Sequence, residues 1–325
     1  MFEIILNRRI LRIKAFKVLY SYSENPGMSL ADAESMLESS CEATRDLYLY
    51  MLSLIPVITE EAVARMEAAK NRFNATKEDL EPNLKFAQNA IAPLILDDPD
   101  FQKIVSKKKL SWEPYDAFVR NLFKTVSEKE YFKKYMASEE RSLSQDAALF
   151  VKIFEEELVD NVELEKILED LSLLWIDDLA YSLSWCITSL KALGKGERWN
   201  LPPLYQSDVL ISQGKPADSD KAFVVKLLRS AFSSFPEYYQ LISEQVPSWD
   251  KARLFNIDMA LISLGLAEAT TFKEIPVKVT INEYVEISKY YSTPKSCSFI
   301  NGLLDKLIQK FQEEGKVSKS GKGLM

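Results

Sequence analysis

The sequence predicts an all-α protein. Glycine and proline are scarce, with 9 and 13 among 325 residues, which argues against a loop-rich β-sandwich. Leucine, lysine, glutamate and alanine, the good helix formers, are abundant. Apolar residues recur at helical spacing through most of the chain, and no segment shows the strict alternation of a half-buried strand.

The first helix is predicted over Asn7 to Tyr22. Leu11, Ala15, Val18, Leu19 and Tyr22 share one face, and Asn7 suits the N-cap. Arg8, Arg9, Arg12, Lys14 and Lys17 lie in this helix with no acidic residue among them. Cations in a first turn oppose the helix dipole, so local helix stability does not account for Arg8 and Arg9. Asn25-Pro26-Gly27 ends the element.

Two helical patterns follow from Ser29 to about Lys70, broken near Pro56, and then a polar loop from Asn74 to Pro82. Breaks recur at Pro93 and around Pro99. Trp112 to Met136, Leu143 to Leu158 and Val162 to Leu193 read as amphipathic or apolar helices. Within the last of these, Trp175-Ile176-Asp177-Asp178 reads as a solvent-facing acidic turn. Gly194 to Gly214, with Pro202 and Pro203, is the linker candidate. Helices are predicted over Asp218 to Val246 and Trp249 to Thr270, and two more between Ile275 and Lys306 around a Ser292-Thr293-Pro294 turn. The tail from Gly315 to Met325 is basic and is expected to be disordered. A weak internal echo aligns Phe118 to Lys124 with Phe223 to Arg229.

Composition narrows the chemistry. There is no histidine, which removes His-based acid/base catalysis and the commonest metal ligand. Cys41, Cys186 and Cys297 are far apart and form no zinc or disulfide pattern. No catalytic residue, metal or cofactor is expected, and the chain contains no Gly-rich phosphate loop. No signal sequence is apparent, and no uninterrupted run approaches the roughly 18 apolar residues of a membrane span. The expectation is a cytoplasmic protein without a membrane role. Net charge is -7, so any affinity for nucleic acid must come from a local basic patch.

The stretch from Ile275 to Lys306 is the most distinctive in the chain. A proline opens its first helix, Asn282-Glu283 follows, and Asn301-Gly302 interrupts an otherwise apolar second helix. With Trp249, Asp258, Glu268, Pro276, Lys278, Ser296, Phe299 and Asp305, and with Arg8-Arg9-x-x-Arg12 leading to Leu19-Tyr20, this pattern resembles the NusB family of transcription antitermination factors. Asp220 to Val246 is similar to the family's helix pair preceding its C-terminal half. The chain is similar to the long, Bacteroidetes-type form. The resemblance implies an all-α, NusB-like bundle of two packed subdomains, enlarged by an all-helical insertion. The expected organisation is a basic first helix over 1–25, a helical insertion of unknown role over 26–215, a NusB-like C-terminal part over 216–314 and the tail over 315–325.

The resemblance also implies a function. NusB proteins pair with a small-subunit ribosomal protein, NusE. Together they bind the single-stranded boxA element of ribosomal RNA transcripts and join the RNA polymerase antitermination complex. Arg8, Arg9, Arg12 and Lys14 would then track phosphates or stack on splayed bases. Lys295 and Phe299 would add a cation and a stacking ring beside the hairpin turn. Family members often carry an acidic residue at the position of Lys295 and a basic one at that of Ser298, so individual contacts there need not carry over. Tyr20 and Asp258 match positions that face the ribosomal-protein partner, and acidic surface near Asp258 would steer a basic protein. Ser296 is expected to cap the last helix. Gly302 would allow a close helix approach, and Asn282, Glu283, Glu268, Asn301 and Asp305 are expected to be buried structural groups.

The residues leave a second reading open, a helical protein-interaction scaffold with little or no RNA binding. An enzymatic reading, by analogy with NusB-like domains fused to RNA methyltransferases, lacks any cofactor loop or Pro-Cys motif here.

Overall fold

A computed structural model describes residues 4–214, 220–245 and 256–319. Every regular element among them is helical. The helices are α1 Arg8–Glu24, α2 Leu30–Leu52, α3 Leu54–Lys70, α4 Lys77–Leu80, α5 Ile91–Leu96, α6 Pro99–Lys108, α7 Asp116–Glu128 and α8 Glu130–Ala137. They continue with α9 Leu143–Ile153, α10 Val162–Leu171, α11 Leu179–Leu193, α12 Gln206–Ser212, α13 Asp220–Gln245, α14 Asn256–Thr271, α15 Val277–Tyr291 and α16 Pro294–Glu313. Trp249, expected to open α14, lies outside the described residues, as do residues 320–325 of the tail.

The chain forms two compact units. One combines residues 1–41 with 203–325, and the other is residues 42–202. The inserted unit is therefore shorter at both ends than the 26–215 expected from the sequence. The first half of α2 and all of α12 belong to the discontinuous unit.

In the discontinuous unit α14 is the centre. Every residue from Asp258 to Ala269 is buried, as befits a helix that is apolar nearly all round. α1, α13, α15 and α16 pack around it. Gly265 permits this closeness, since a Cβ there would stand 2.7 Å from Leu304 Cδ2 and 3.3 Å from Tyr284 Cδ2. The start of the chain is pinned by two backbone bonds, from Ile5 N to Pro203 O at 2.9 Å and from Leu6 N to Leu204 O at 3.0 Å. At the other end Lys316 N donates to Phe311 O at 2.8 Å, and Val317 is buried. Residues 315–319 are thus docked, where the sequence suggested a loose tail.

The inserted unit has its own core. Phe86 is ringed by Phe123, Phe132 and Phe150 at centroid distances of 5.6, 5.3 and 5.7 Å. Tyr50 stacks on Trp112 at 4.1 Å and on Trp175 at 5.4 Å. Asp178 is buried and accepts the Thr44 hydroxyl at 2.6 Å, which corrects its reading as part of a solvent-facing turn. α9 and α11 approach closely at Gly194, where a Cβ would lie 2.7 Å from Ala147 Cβ.

Several local readings shift. The α2–α3 break falls at Ser53, and Pro56 sits inside the first turn of α3, where its missing N–H satisfies no intrahelical bond in any case. The polar loop after Asn74 contains α4, held by a capping box between Thr76 and Asp79. The Gly194–Gly214 segment contains α12, and its Trp199, Leu204 and Tyr205 are buried. The two echoing segments lie in α7 and α13 with matching buried positions, Phe118, Val119 and Leu122 against Phe223, Val224 and Leu227. Residues 30–70 include a window of mean hydropathy 1.4, long and apolar enough by composition to cross a membrane. The uninterrupted-run criterion passed over that window, and 67% of it is buried within the protein.

Candidate nucleic-acid interface

α1 begins where its sequence says it should. Asn7 Oδ1 accepts the backbone N–H groups of Arg9 and Ile10, each at 3.0 Å. This cap fixes where the three arginines emerge, and each finds a carboxylate far away in sequence.

Arg8 Nε donates to Asp220 Oδ1 at 3.1 Å while its guanidinium lies 4.9 Å from the centre of the Phe223 ring. Its side chain remains 48% exposed, whereas Asp220 is buried. Arg9 grips Glu283 through two bonds, Nε to Oε2 at 2.9 Å and Nη2 to Oε1 at 2.8 Å, and stays 52% exposed. The hydrogen bond Arg9 donates to Glu283 is the largest cause holding its guanidinium above the ordinary value. The same bond holds the Glu283 carboxyl below the ordinary carboxylate range, against a smaller opposing effect of burial.

Arg12 is different. It is buried, and it meets Glu268 through Nε to Oε2 at 2.7 Å and Nη2 to Oε1 at 2.9 Å. Thr280 Oγ1 and Tyr284 OH add hydrogen bonds to Glu268 at 3.0 and 3.1 Å. Burial works against the Arg12 charge, and the hydrogen bond and negative charge of Glu268 outweigh it, so the guanidinium sits above its ordinary value. Burial also pushes the Tyr284 hydroxyl well above its ordinary value, so it stays protonated and donates. Lys14 is fully buried as well. Arg12 and Lys14, expected at an RNA surface, thus have no outward face. Arg12 reaches Glu268 on α14, and Lys14, about 160° round the helix from Arg12, is buried too, while Arg8 and Arg9 at the helix start stay half open.

Farther along α1, Phe16 packs on Tyr291 with ring centroids 5.2 Å apart, and Lys17 Nζ lies 5.9 Å from the centre of the same ring. With Arg9 on Glu283, these contacts lay α1 alongside α15 and bring its far end to the hairpin turn. Tyr20 is half-buried beside Phe16, with ring centroids 6.3 Å apart.

The turn itself is organised by Asp258. Its Oδ1 accepts Ser292 Oγ at 2.5 Å and its Oδ2 accepts Ser296 Oγ at 2.9 Å. Asp258 is buried and presents no charge to solvent, contrary to the steering role read from the sequence. Ser296 is not the cap. Thr293 precedes Pro294 at that position, and Ser296 sits inside the first turn with its hydroxyl on Asp258. Lys295 is exposed and Phe299 half-buried.

The remaining expected structural residues divide. Glu268 is buried and Glu283 half-buried, both in ion pairs. Asn282, Asn301, Gly302 and Asp305 are exposed, and nothing stands within 4 Å of a Cβ built at Gly302. The outward turns of α15 and α16 carry them. Sequence reasoning missed Asp220 and Phe223, which support Arg8, and Tyr290, which is 83% exposed. The available signal was the Tyr290-Tyr291 pair at the end of an amphipathic helix, where the two rings point about 100° apart.

A helical core that clamps a basic first helix against a closing helical hairpin, with charged and aromatic groups left open along the seam, defines an all-α binding protein. Comparison with known proteins gives its kind. The NusB family profile matches residues 201–309. The chain is 33% identical over 113 residues to the transcription antitermination protein NusB of Salinibacter ruber, covering 34% of this chain and 71% of that one. It is 35% identical over 105 residues to the NusB protein of Chloroherpeton thalassium, covering 32% and 50%. To that of Alkaliphilus oremlandii it is 31% identical over 98 residues, covering 30% and 71%. No solved structure matches the chain. The chain belongs to the NusB family. The matched segment begins within two residues of the point where the chain re-enters the discontinuous unit at Pro203.

Proposed function

We propose that this protein is a transcription antitermination factor that binds the boxA element of ribosomal RNA transcripts together with the ribosomal protein NusE, in the cytoplasm, as part of the RNA polymerase antitermination complex. One observation supports this above the others. Arg8 and Arg9 are fixed at one edge by Asp220 and Glu283 and remain about half open to solvent. A guanidinium held this way keeps donors and a flat face for a second partner, and its geometry is set before the ligand arrives.

The proposed contacts are Arg8 and Arg9, then Lys17 along the α1–α15 seam, then Lys295 and Phe299 beyond the turn. Arg12 and Lys14 act from below by fixing the helix. Tyr20 is the proposed contact for NusE, and Asp258 serves that surface by shaping the turn. The unit over 42–202 has no part in this reading.

The scaffold reading draws on the same ion pairs, which already give each α1 arginine a partner. Titration of boxA-type RNA across a salt series, with and without NusE, separates the two. RNA binding predicts log affinity falling with log salt by ~0.7 per phosphate contacted. Absence of affinity in both arms would leave the scaffold.

A further inference from the structure

Most of the described glycines have internal reasons to be glycine. Gly196, Gly214 and Gly315 have φ of 82, 69 and 71°, in the left-handed region, which side chains avoid. Gly194 and Gly265 sit where a Cβ would come within 2.7 Å of a neighbour. Gly27 lies in the exposed turn after α1, outside any helix, where a Cβ would make only ordinary contact, 3.4 Å from Asn25 Oδ1. Gly302 has none of these features. It lies in the middle of the long helix α16, it is exposed, and a Cβ there would meet open space. Glycine weakens a helix relative to alanine, and no contact among the described residues repays it.

The neighbours on that face indicate an external partner. At 100° per residue, Lys295, Gly302 and Lys306 fall within roughly 40° of one line along the helix. Lys295 and Lys306 stand about 16 Å apart at the helical rise. The side chains of Lys295, Asn301 and Lys306 are exposed and have no ion pair or hydrogen bond among the described residues. Asp305 holds Gln309 at 3.2 Å. Glu313 and Glu314 bound the face at its far end. Apart from the half-buried Phe299, α16 exposes no large hydrophobic residue, so a protein partner would find little apolar anchor along it.

We propose that the outward face of α16, from Lys295 through Gly302 to Lys306, is a track for single-stranded RNA, with Gly302 the point where the ribose–phosphate chain meets the helix backbone. The proposal rests on the RNA-binding reading above and extends its path beyond the turn. Lys295 and Lys306 hold phosphates at either end of the track. With no side chain at Gly302, the helix carbonyls of the preceding turn lie open to a ribose 2′-hydroxyl, which donates into their second lone pair. Asn301 offers an amide to a base edge.

The test compares wild type, Gly302→Ala, Lys306→Ala and Arg9→Ala, each by thermal melting and by titration with a boxA-type RNA oligonucleotide across a salt series. Gly302→Ala is expected to raise Tm, because the helix gains, while weakening RNA roughly tenfold, the loss of about one hydrogen bond. Lys306→Ala is expected to lower the salt slope by ~0.7 with Tm unchanged. Wild-type affinity in both variants, with Arg9→Ala weakened, would overturn the track and leave the RNA reading intact. A Gly302→Ala protein that melts lower would show an internal role and also overturn it. Loss of NusE binding in Gly302→Ala with RNA affinity intact would make the face a protein surface instead. No RNA binding by wild type, with or without NusE, would remove both readings.

Discussion

Arg12 and Glu268, 256 residues apart in sequence, face each other fork to fork inside the discontinuous unit, with bonds of 2.7 and 2.9 Å. Both side chains are almost wholly buried. The two oxygens of Glu268 also receive Thr280 and Tyr284, so the carboxylate is fully served. A buried ion pair of this kind need not be worth more than a good apolar substitute, but breaking one side is costly.

Arg12→Ala is therefore expected to lower stability by about 3–5 kcal/mol, because it strands a buried carboxylate. Removing both partners together should cost less than the two single changes added. Urea denaturation of the two single variants and the double variant checks this. Single-variant losses no larger than those at exposed pairs would show that Glu268 finds water.

Arg9 should behave in the opposite way. Its pair with Glu283 is about half open on the arginine side, and solvent-screened pairs contribute roughly 0–1 kcal/mol. Arg9→Ala is expected to melt close to wild type and to bind RNA more weakly. A large drop in Tm with unchanged RNA affinity would make Arg9 structural.

Glu283 carries a pH signature. Its carboxyl is held below the ordinary value of 4.5, with the hydrogen bond from Arg9 the largest cause. The unfolded chain therefore binds the proton more readily than the folded one. The pair's contribution is complete above pH ~4.5 and disappears as the pH falls through the lower folded-state value. Denaturation of wild type and Glu283→Gln at several pH values should show a small wild-type advantage near neutrality that vanishes in acid. An advantage that grows on acidification would reverse the sign.

Ser296→Ala removes one of two hydroxyls on the buried Asp258 carboxylate. An unsatisfied buried acceptor costs about 1–3 kcal/mol. Because Ser296 lies in the first turn of α16 beside Lys295, RNA affinity should weaken too, even though Ser296 is buried. Ser296→Thr, which keeps the hydroxyl, should recover part of both. Unchanged stability in Ser296→Ala would mean that Ser292 alone suffices.

Local pattern carried much of the fold. The period of α1, the Asn7 cap and the helix-rich insertion follow from spacing and cap chemistry, which act within a turn or two, whereas the last helix begins at Pro294, two residues before the cap read at Ser296. The partners of the α1 cations were not legible, because a lysine or arginine on a helix looks the same whether its carboxylate partner is water-exposed or buried. Spacing put Arg12 and Lys14 in a basic run, yet Arg12 is turned inward to its carboxylate on α14 and Lys14 is buried as well. The reverse error came at Asn301, Gly302 and Asp305. A glycine in an apolar helix suggests close packing, yet Gly265 on α14 fills that role and Gly302 faces outward. Asp258 misled for a third reason. Its charge suggested surface, but the two serines that satisfy it lie 34 and 38 residues downstream.

Because the discontinuous unit is assembled from both stretches of the chain, its birth is delayed. When α1 leaves the ribosome, the carboxylate that will neutralise Arg12 has not yet been translated. At roughly 5–20 residues per second, the 256 intervening positions occupy on the order of 13–50 s. Residues 42–202 emerge whole within that interval, while the nascent first helix waits with Arg12 unmatched. A chain stalled before Glu268 would carry the basic helix without the carboxylate that holds Arg12, so the clamp on that helix closes only after Glu268 has been made.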